Sequence, residues 1–275
     1  MSEHPFHMKR HVIILAQGQE RVPDMLRPRQ MIGLPLCGGM AIMGRTIMMA
    51  RELDRDARIT VVSELELYAP MFRWAPAKLD GEWPAPSSYE KLIALRGDVD
   101  LETTELPDPG TSALKGISRY LDHRRDVENL GALEFTPSQT VVLLGDCVYS
   151  WRCMNVLFSD ALPYNFVGTS ELTDARGDIW GITWRKDADD VLQGWMKKAL
   201  RKHPATDTYH ASQLRQWLFV ARAELDPQPA LYTAVDDYTR DFDVPSDLDH
   251  LYAVSGRAAM DDIAHGLHWG DDRLS

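Results

Sequence analysis

Three short aliphatic runs that lack polar alternation constrain the fold of this chain more than any other feature. They read HVIILA, RITVVS and TVVLLG, and they occupy positions 11–16, 58–63 and 140–145. Each run has the length of a strand, and continuous apolar strands are typical of parallel sheets that are covered on both faces. We therefore expect these three segments to form the buried centre of such a sheet.

Helical periodicity separates these runs. Two segments, 44–55 and 111–126, carry apolar residues at helical spacing, namely Ile47, Ala50 and Leu53 in the first and Leu114, Ile117 and Leu121 in the second. Two more helical runs follow at 187–202 and 210–225. Strands that alternate with helices along the chain predict an α/β fold.

The chain of 275 residues is long enough for one large domain. We expect a single domain over residues 1–257, with an irregular, proline-containing insertion near 66–100 and a C-terminal tail over 258–275. The insertion is either a lid over a site or a surface ornament.

Composition excludes several classes of function. The net charge of -11 argues against a nucleic-acid partner, since phosphate contacts need clustered Lys and Arg. No apolar run approaches the roughly 20 residues that a membrane span requires, so we expect no membrane partner. The three cysteines lack metal-site spacing and suit a reducing compartment. The polar N-terminus with its short apolar run is unlike a secretory signal, and we expect a cytoplasmic protein.

The loop after the first predicted strand combines one glycine with several arginines. Gly18 allows close approach of the backbone to a ligand, and Arg21, Arg27 and Arg29 add three cations within nine residues. Because a loop at the carboxyl end of a strand is where α/β sheets bind ligands, this loop suits a polyphosphate. The alternative is a surface loop with solvated arginines.

Two acidic segments suit a divalent cation. Asp146 follows the strand at 140–145, where a carboxylate is well placed to hold Mg²⁺ against a phosphate, although an Asp in a plain turn is the alternative. Asp241 and Asp243 alternate, so in an extended backbone they share one face. Helix capping by Asp243 is the alternative for that segment.

The ordered set of these motifs resembles the nucleotidyltransferases of the GT-A fold, which include the sugar-phosphate nucleotidyltransferases. The motifs are LAQGQER, then RPRQMIGLPLCGGMAIMGRTI, then ELPDPGTSALKGI, the Gly145–Asp146 turn, GDIWGITW at 177–184 and DFDVPSDL. They span roughly residues 11 to 252. The resemblance implies a three-layer α/β sandwich with a mixed, mostly parallel central sheet.

The resemblance also implies a reaction, in which a nucleotidyl group passes from a nucleoside triphosphate to a sugar phosphate or similar phosphorylated acceptor and pyrophosphate leaves. Mg²⁺ is the implied cofactor, with Asp146 and Asp243 as its ligands, and a homo-oligomer is possible. The implied catalytic residues are Arg21, Arg29, Asp146 and Asp243. The implied nucleotide-binding residues are Leu15, Ala16, Gln17, Gly18, Gln19, Glu20, Arg21, Gly110, Thr111, Ser112 and Asp146, and the implied acceptor-binding residues are Trp180, Gly181, Arg185 and Lys186. For Trp180 the alternative is packing into the core, and for Arg185 and Lys186 it is exposed charge at the end of a strand.

Two departures from the family pattern keep other functions open. Gln17, Gln19 and Glu20 stand where the family carries more glycine, and Arg29 replaces the family's lysine, exchanging a mobile point charge for a planar fork. A degenerate domain that binds nucleotide without catalysis is therefore one alternative. A GT-A glycosyltransferase that uses a nucleotide sugar is another, although it usually carries Asp-x-Asp after the strand, where this chain has Asp146-Cys147-Val148.

Overall fold

The computed structural model describes most of a layered α/β domain. The described residues are 9–15, 42–63, 99–103, 137–170, 177–202, 210–225 and 232–241, together with positions 117, 118, 121, 122 and 125. The predicted tail at 258–275 and all but the last two residues of the predicted insertion lie outside them.

Seven strands form one sheet, in the order β3-β2-β1-β4-β7-β6-β8. Their bounds are β1 Arg10–Leu15, β2 Arg58–Ser63, β3 Val99–Thr103, β4 Gln139–Leu144, β6 Tyr164–Gly168, β7 Ile179–Arg185 and β8 Tyr232–Ala234. The remaining two, β5 Cys147–Val148 and β9 Arg240–Asp241, pair with each other in a small antiparallel ladder.

The three aliphatic runs are β1, β2 and β4, and β1 lies between the other two in parallel pairing. This confirms their prediction as the centre of a mostly parallel sheet. β7 runs antiparallel to both β4 and β6, whereas the other pairs in this sheet are parallel. The sheet is therefore mixed, as the resemblance implied.

The main helices of the described chain are α1 Ile42–Leu53, α2 Trp151–Leu157, α3 Asp189–Lys202 and α4 His210–Glu224. They agree with the predicted helical runs at 44–55, 187–202 and 210–225. In the run predicted at 111–126, the described residues are helical, and Ile117 and Leu121 are fully buried.

Helices cover both faces of the sheet, which confirms the three-layer sandwich. On one face Leu157 of α2 packs against Gly181, where a Cβ would meet its Cδ2 atom at 2.9 Å. On the other face Trp217 of α4 contacts Phe166 and Trp184 edge-on, with ring centroids 5.6 and 6.1 Å apart. Gly181 and Trp184, three residues apart in β7, thus face opposite layers, as the alternation of a strand requires.

One edge of the sheet gathers the carboxyl ends of the parallel strands, and we call it the carboxyl edge. β1, β2 and β4 end there at Leu15, Ser63 and Leu144. Because β7 is antiparallel, it begins at this edge with Ile179 and finishes at the opposite edge with Arg185, which pairs with Gln139 at the start of β4.

Candidate functional site

The Gly145–Asp146 turn lies at the carboxyl edge, directly beside the end of β1. The backbone N–H of Gly145 donates a hydrogen bond to the carbonyl of Leu15, at 2.8 Å. The turn therefore continues the β1–β4 pairing by one more bond. It brings Asp146 to the point where the arginine-bearing loop leaves β1.

The Asp146 side chain is buried, with 7% of the residue exposed. An ionised carboxylate removed from water is costly unless a cation or hydrogen-bond donors compensate its charge. Its carboxylate oxygens are also the hard ligands that Mg²⁺ prefers. Asp146 lies in a turn, as its alternative interpretation expected, and this turn is buried at a strand end; its role as a metal ligand stays a prediction.

Tyr149 anchors the turn to the sheet. Its hydroxyl accepts a hydrogen bond from the N–H of Leu144 and donates one to the carbonyl of Trp180, each at 2.7 Å. Tyr149 is fully buried, and desolvation, supported by the neighbouring cysteines, raises its pKa well above the ordinary value. The hydroxyl therefore keeps its proton and its donor role at neutral pH.

Ser150 is the last residue of segment 145–150, which we call the Asp146 turn, and it anchors that end to the segment that precedes β9. Its N–H donates to the Thr239 hydroxyl at 3.0 Å, and its own hydroxyl donates to the Asp237 carboxylate. The other carboxylate oxygen of Asp237 accepts from the N–H of Thr239 at 2.7 Å. The Ser150 hydroxyl also accepts from the N–H of Cys153 and so caps α2.

Arg45 joins α1 to the same region. Its guanidinium donates to the backbone carbonyl of Tyr149 and, at 3.3 Å, to the Tyr238 hydroxyl. The side chain is buried, with 2% of the residue exposed. The helix that follows the first loop, the Asp146 turn and the segment before β9 are therefore tied together by one arginine.

The β5–β9 ladder brings the second acidic segment to the Asp146 turn. Cys147 pairs with Asp241, and Val148 pairs with Arg240. Asp146 directly precedes Cys147 in the chain. The backbone of Asp241, two residues before Asp243, thus lies opposite the neighbour of Asp146.

Of the predicted site residues, the structure brings Leu15, Asp146 and Trp180 together at the carboxyl edge. For Trp180 the structure agrees with core packing, the alternative to stacking on an acceptor, because its ring belongs to the hydrophobic core and only 4% of the residue is exposed. Gly181 is likewise a packing position, since a Cβ there would meet both the Leu157 side chain and the Val142 carbonyl at 2.9 Å.

Arg185 and Lys186 also agree with their alternative, since they are partly exposed charges at the end of β7. Because β7 is antiparallel to β4, both residues lie at the edge opposite Asp146, where Arg185 pairs with Gln139 at the start of β4. There Arg185 makes an ion pair with Asp187 at 3.2 Å, and Lys186 makes one with Asp189 at 3.5 Å. An acceptor that reacts at the carboxyl edge is out of their reach.

The other predicted residues lie outside the described part of the chain. They are Ala16, Gln17, Gly18, Gln19, Glu20, Arg21, Arg29, Gly110, Thr111, Ser112 and Asp243. Within the described ranges, no group of three or more His, Cys, Asp or Glu side chains is arranged to hold a metal ion. The described ranges also contain no helix long and apolar enough to cross a membrane.

A further acidic residue, Asp178, lies at the carboxyl edge just before β7. Burial raises the pKa of its carboxyl group, and the charges of Arg215 and Arg240 oppose that shift. Arg215 also donates to the Gly177 carbonyl at 3.0 Å. This edge therefore carries cationic side chains that the motif comparison did not select.

Four residues of this region were not predicted from the sequence, namely Arg45, Tyr149, Ser150 and Thr239. Arg45 had a signal, because it lies three residues after Ile42 and four before Met49, on the apolar face of α1. Ser150 had one too, as a serine just before a helix. Thr239 carried no signal for the bond of its hydroxyl to Ser150, which is 89 residues away in the chain.

Solved structures share this arrangement of strands and helices. A 4-diphosphocytidyl-2C-methyl-D-erythritol synthase from Anaerococcus prevotii matches with a TM-score of 0.52 over 90% of this chain and 96% of its own, at 12% identity. An inositol-1-phosphate CTP transferase from T. maritima matches with 0.52 over 94% and 96%, at 10% identity. A UDP-glucose pyrophosphorylase complexed with UDP-glucose matches with 0.53 over 97% and 100%, at 8% identity.

This chain has the nucleotidyltransferase fold. No protein-family model matches its sequence, and no curated protein matches it either. At 8 to 12% identity the likeness to these structures is one of fold alone, and a reaction depends on the residues of this chain.

Proposed function

We propose that this protein transfers a nucleotidyl group from a nucleoside triphosphate to a small phosphorylated acceptor such as a sugar phosphate, with release of pyrophosphate. The observation that carries the proposal is the buried Asp146 carboxylate at the carboxyl edge, next to the end of β1. Ligands of open α/β sheets bind at that edge. The fold shared with three enzymes of this kind supports the same reaction class.

Asp146 and Asp243 are the proposed ligands of a Mg²⁺ ion. The β5–β9 ladder supports the second ligand, because Asp243 is two residues from Asp241 and its Cα lies at most about 7.6 Å from that of Asp241. Asp241 in turn pairs with the residue after Asp146. When bound, the ion would offset the negative charge of the phosphates.

The loop that follows Leu15 is the proposed triphosphate site. Gly18 and its neighbours Ala16, Gln17, Gln19 and Glu20 would offer backbone N–H groups to the phosphate oxygens, while Arg21 and Arg29 balance their charge. Gly110, Thr111 and Ser112 are proposed to lie near the base. No covalent intermediate is required, because an ionised acceptor phosphate attacks in line and positioning with charge neutralisation supplies most of the rate.

On the acceptor side, Arg215 and Arg240 replace Arg185 and Lys186 in the proposal. Both act on Asp178 at the carboxyl edge, and a guanidinium binds a phosphate through two parallel hydrogen bonds. We expect Arg215→Ala to raise the KM for the acceptor phosphate more than the KM for the nucleoside triphosphate. Equal changes in both would remove Arg215 from the acceptor site.

A pyrophosphate-release assay tests the proposed reaction. Each of the four ribonucleoside triphosphates, and dTTP, is incubated with a panel of sugar and alditol phosphates in the presence of Mg²⁺. We expect release with one nucleotide and one acceptor class, and loss of at least about a hundredfold in rate in Asp146→Asn. Undiminished release by Asp146→Asn would contradict the assignment of the metal site.

The same assay separates the two alternatives. Consumption of a nucleotide sugar without pyrophosphate release would identify a glycosyltransferase. The structure favours the nucleotidyltransferase over it, because Val148, the position of the second Asp in Asp-x-Asp, is a buried strand residue paired with Arg240. Nucleotide binding without turnover of any pair would identify a non-catalytic domain.

A further inference from the structure

The Asp146 turn is held at both of its ends. At its start, Gly145 is bonded to Leu15 of β1. At its end, Ser150 is bonded to Asp237 and Thr239, and we call these three residues the Ser150 clamp. The β5–β9 pairing lies between the two attachments. Asp146 therefore sits on a short stretch of chain whose two ends are hydrogen-bonded to different segments, one to β1 and the other to the segment before β9.

Two residues of the Ser150 clamp are buried, and the third, Asp237, is exposed. Ser150 is 2% exposed and Thr239 is 4% exposed, so the hydrogen bond from the Ser150 N–H to the Thr239 hydroxyl is shielded from competition with water. Removing the Thr239 hydroxyl would leave the N–H of Ser150 buried without its acceptor, which favours a shift of the backbone. Any shift at Ser150 is transmitted along β5, which joins it to Asp146.

We propose that Ser150, Asp237 and Thr239 are positioning residues that set the place of the Asp146 carboxylate for a divalent cation. The inference rests on the proposed function, in which Asp146 is a ligand. Mg²⁺ demands near-ideal octahedral geometry at about 2.0–2.1 Å, so a ligand displaced by a fraction of an ångström binds it more weakly. The clamp makes no contact with the ion and acts through the backbone of the turn.

The test compares Thr239→Val with Thr239→Ser in the full-length protein. Valine keeps the shape of threonine and removes its hydroxyl, whereas serine retains the acceptor. Mn²⁺ alone is titrated, and free Mn²⁺ is measured by electron paramagnetic resonance. We expect Thr239→Val to bind Mn²⁺ about tenfold more weakly and Thr239→Ser to stay within about twofold of the wild type.

Thr183→Val is the matched control. Thr183 is also buried, and its hydroxyl accepts one hydrogen bond, from the Gln139 amide at 3.0 Å, but it belongs to β7 and not to the turn. We expect this variant to lose stability without losing Mn²⁺ affinity. Equal losses of Mn²⁺ affinity in Thr183→Val and Thr239→Val would overturn the inference. If Thr239→Val does not fold, Asp237→Asn takes its place with the same expectation.

The outcomes separate the inference from the proposed function. Loss of Mn²⁺ binding in Asp146→Asn with unchanged binding in Thr239→Val overturns the positioning role and leaves the metal ligand in place. Equal Mn²⁺ binding by Asp146→Asn and the wild type overturns both. The positioning role and the metal ligand are both supported if Thr239→Val binds Mn²⁺ more weakly, Thr239→Ser binds it as the wild type does, and Asp146→Asn does not bind it.

Discussion

At the scale of the residue, burial has a different meaning for an acidic and for an aromatic side chain. Asp146 and Trp180 both lie at the carboxyl edge, and both are almost fully buried. Burial of a carboxylate at a strand end points to a charge partner, whereas burial of a tryptophan ring is the ordinary result of hydrophobic packing. Both residues were selected from the sequence; the structure places the Trp180 ring in the core, and the ligand role of Asp146 is a proposal.

Gly181 provides the first test at this scale. In Gly181→Ala the new methyl group meets Leu157 and the Val142 carbonyl at 2.9 Å, so we expect a loss of about 1–3 kcal/mol in the free energy of unfolding. Urea denaturation measures it. Gly194→Ala in α3 is the control, because a Cβ there meets nothing within 4 Å and should raise stability by up to about 1 kcal/mol. A Gly181→Ala variant as stable as the wild type would contradict the packing role of Gly181.

Asp178 gives a pH-dependent prediction. Burial raises its pKa in the folded protein, so its ionised form destabilises the fold at neutral pH, and that cost disappears at pH values below its unfolded pKa. We therefore expect Asp178→Asn to raise the free energy of unfolding at pH 7 and to have no such effect at pH 3. Asp187→Asn, at an exposed position, should change stability by less than about 0.5 kcal/mol at either pH. A larger gain for Asp178→Asn at pH 3 than at pH 7 would reverse the assigned direction of the pKa shift.

At the scale of the element, the local pattern predicted the three central strands and their parallel pairing, together with three of the four main helices, but it did not show that β7 is reversed. β1, β2, β4 and three of the four main helices appear within two residues of their predicted bounds. The reversal of β7 is different, because it depends on which strands flank it and on how the chain crosses the sheet. A short apolar run with residues alternating between faces looks the same in either direction.

The direction of β7 predicts which charges are dispensable. Arg185 and Lys186 lie at the edge opposite Asp146, so Arg185→Ala and Lys186→Ala should leave nucleotide and acceptor KM values within about twofold of the wild type. Steady-state kinetics with the pair found in the pyrophosphate-release assay provides the measurement. A loss of more than tenfold in kcat/KM with either variant would mean that the acceptor reaches the opposite edge.

At the scale of the whole molecule, the ordered set of motifs predicted the fold, and the sheet order with one reversed strand confirms it. Much of the candidate site was less accessible from sequence. Arg45, Tyr149 and Thr239 act through contacts with residues far along the chain, and no local pattern encodes such pairs. Asp146 could be selected from the sequence because a carboxylate at the end of an apolar run is visible there, and its role stays a prediction.

The central claim is that the Asp146 carboxylate holds a divalent cation at the carboxyl edge. A crystal structure of the full chain with Mn²⁺ and the preferred nucleoside triphosphate tests it directly, since anomalous scattering locates the ion. We predict an anomalous peak within about 2–2.5 Å of an Asp146 carboxylate oxygen, beside the end of β1. An ion bound to the triphosphate with no contact to Asp146 would contradict the claim.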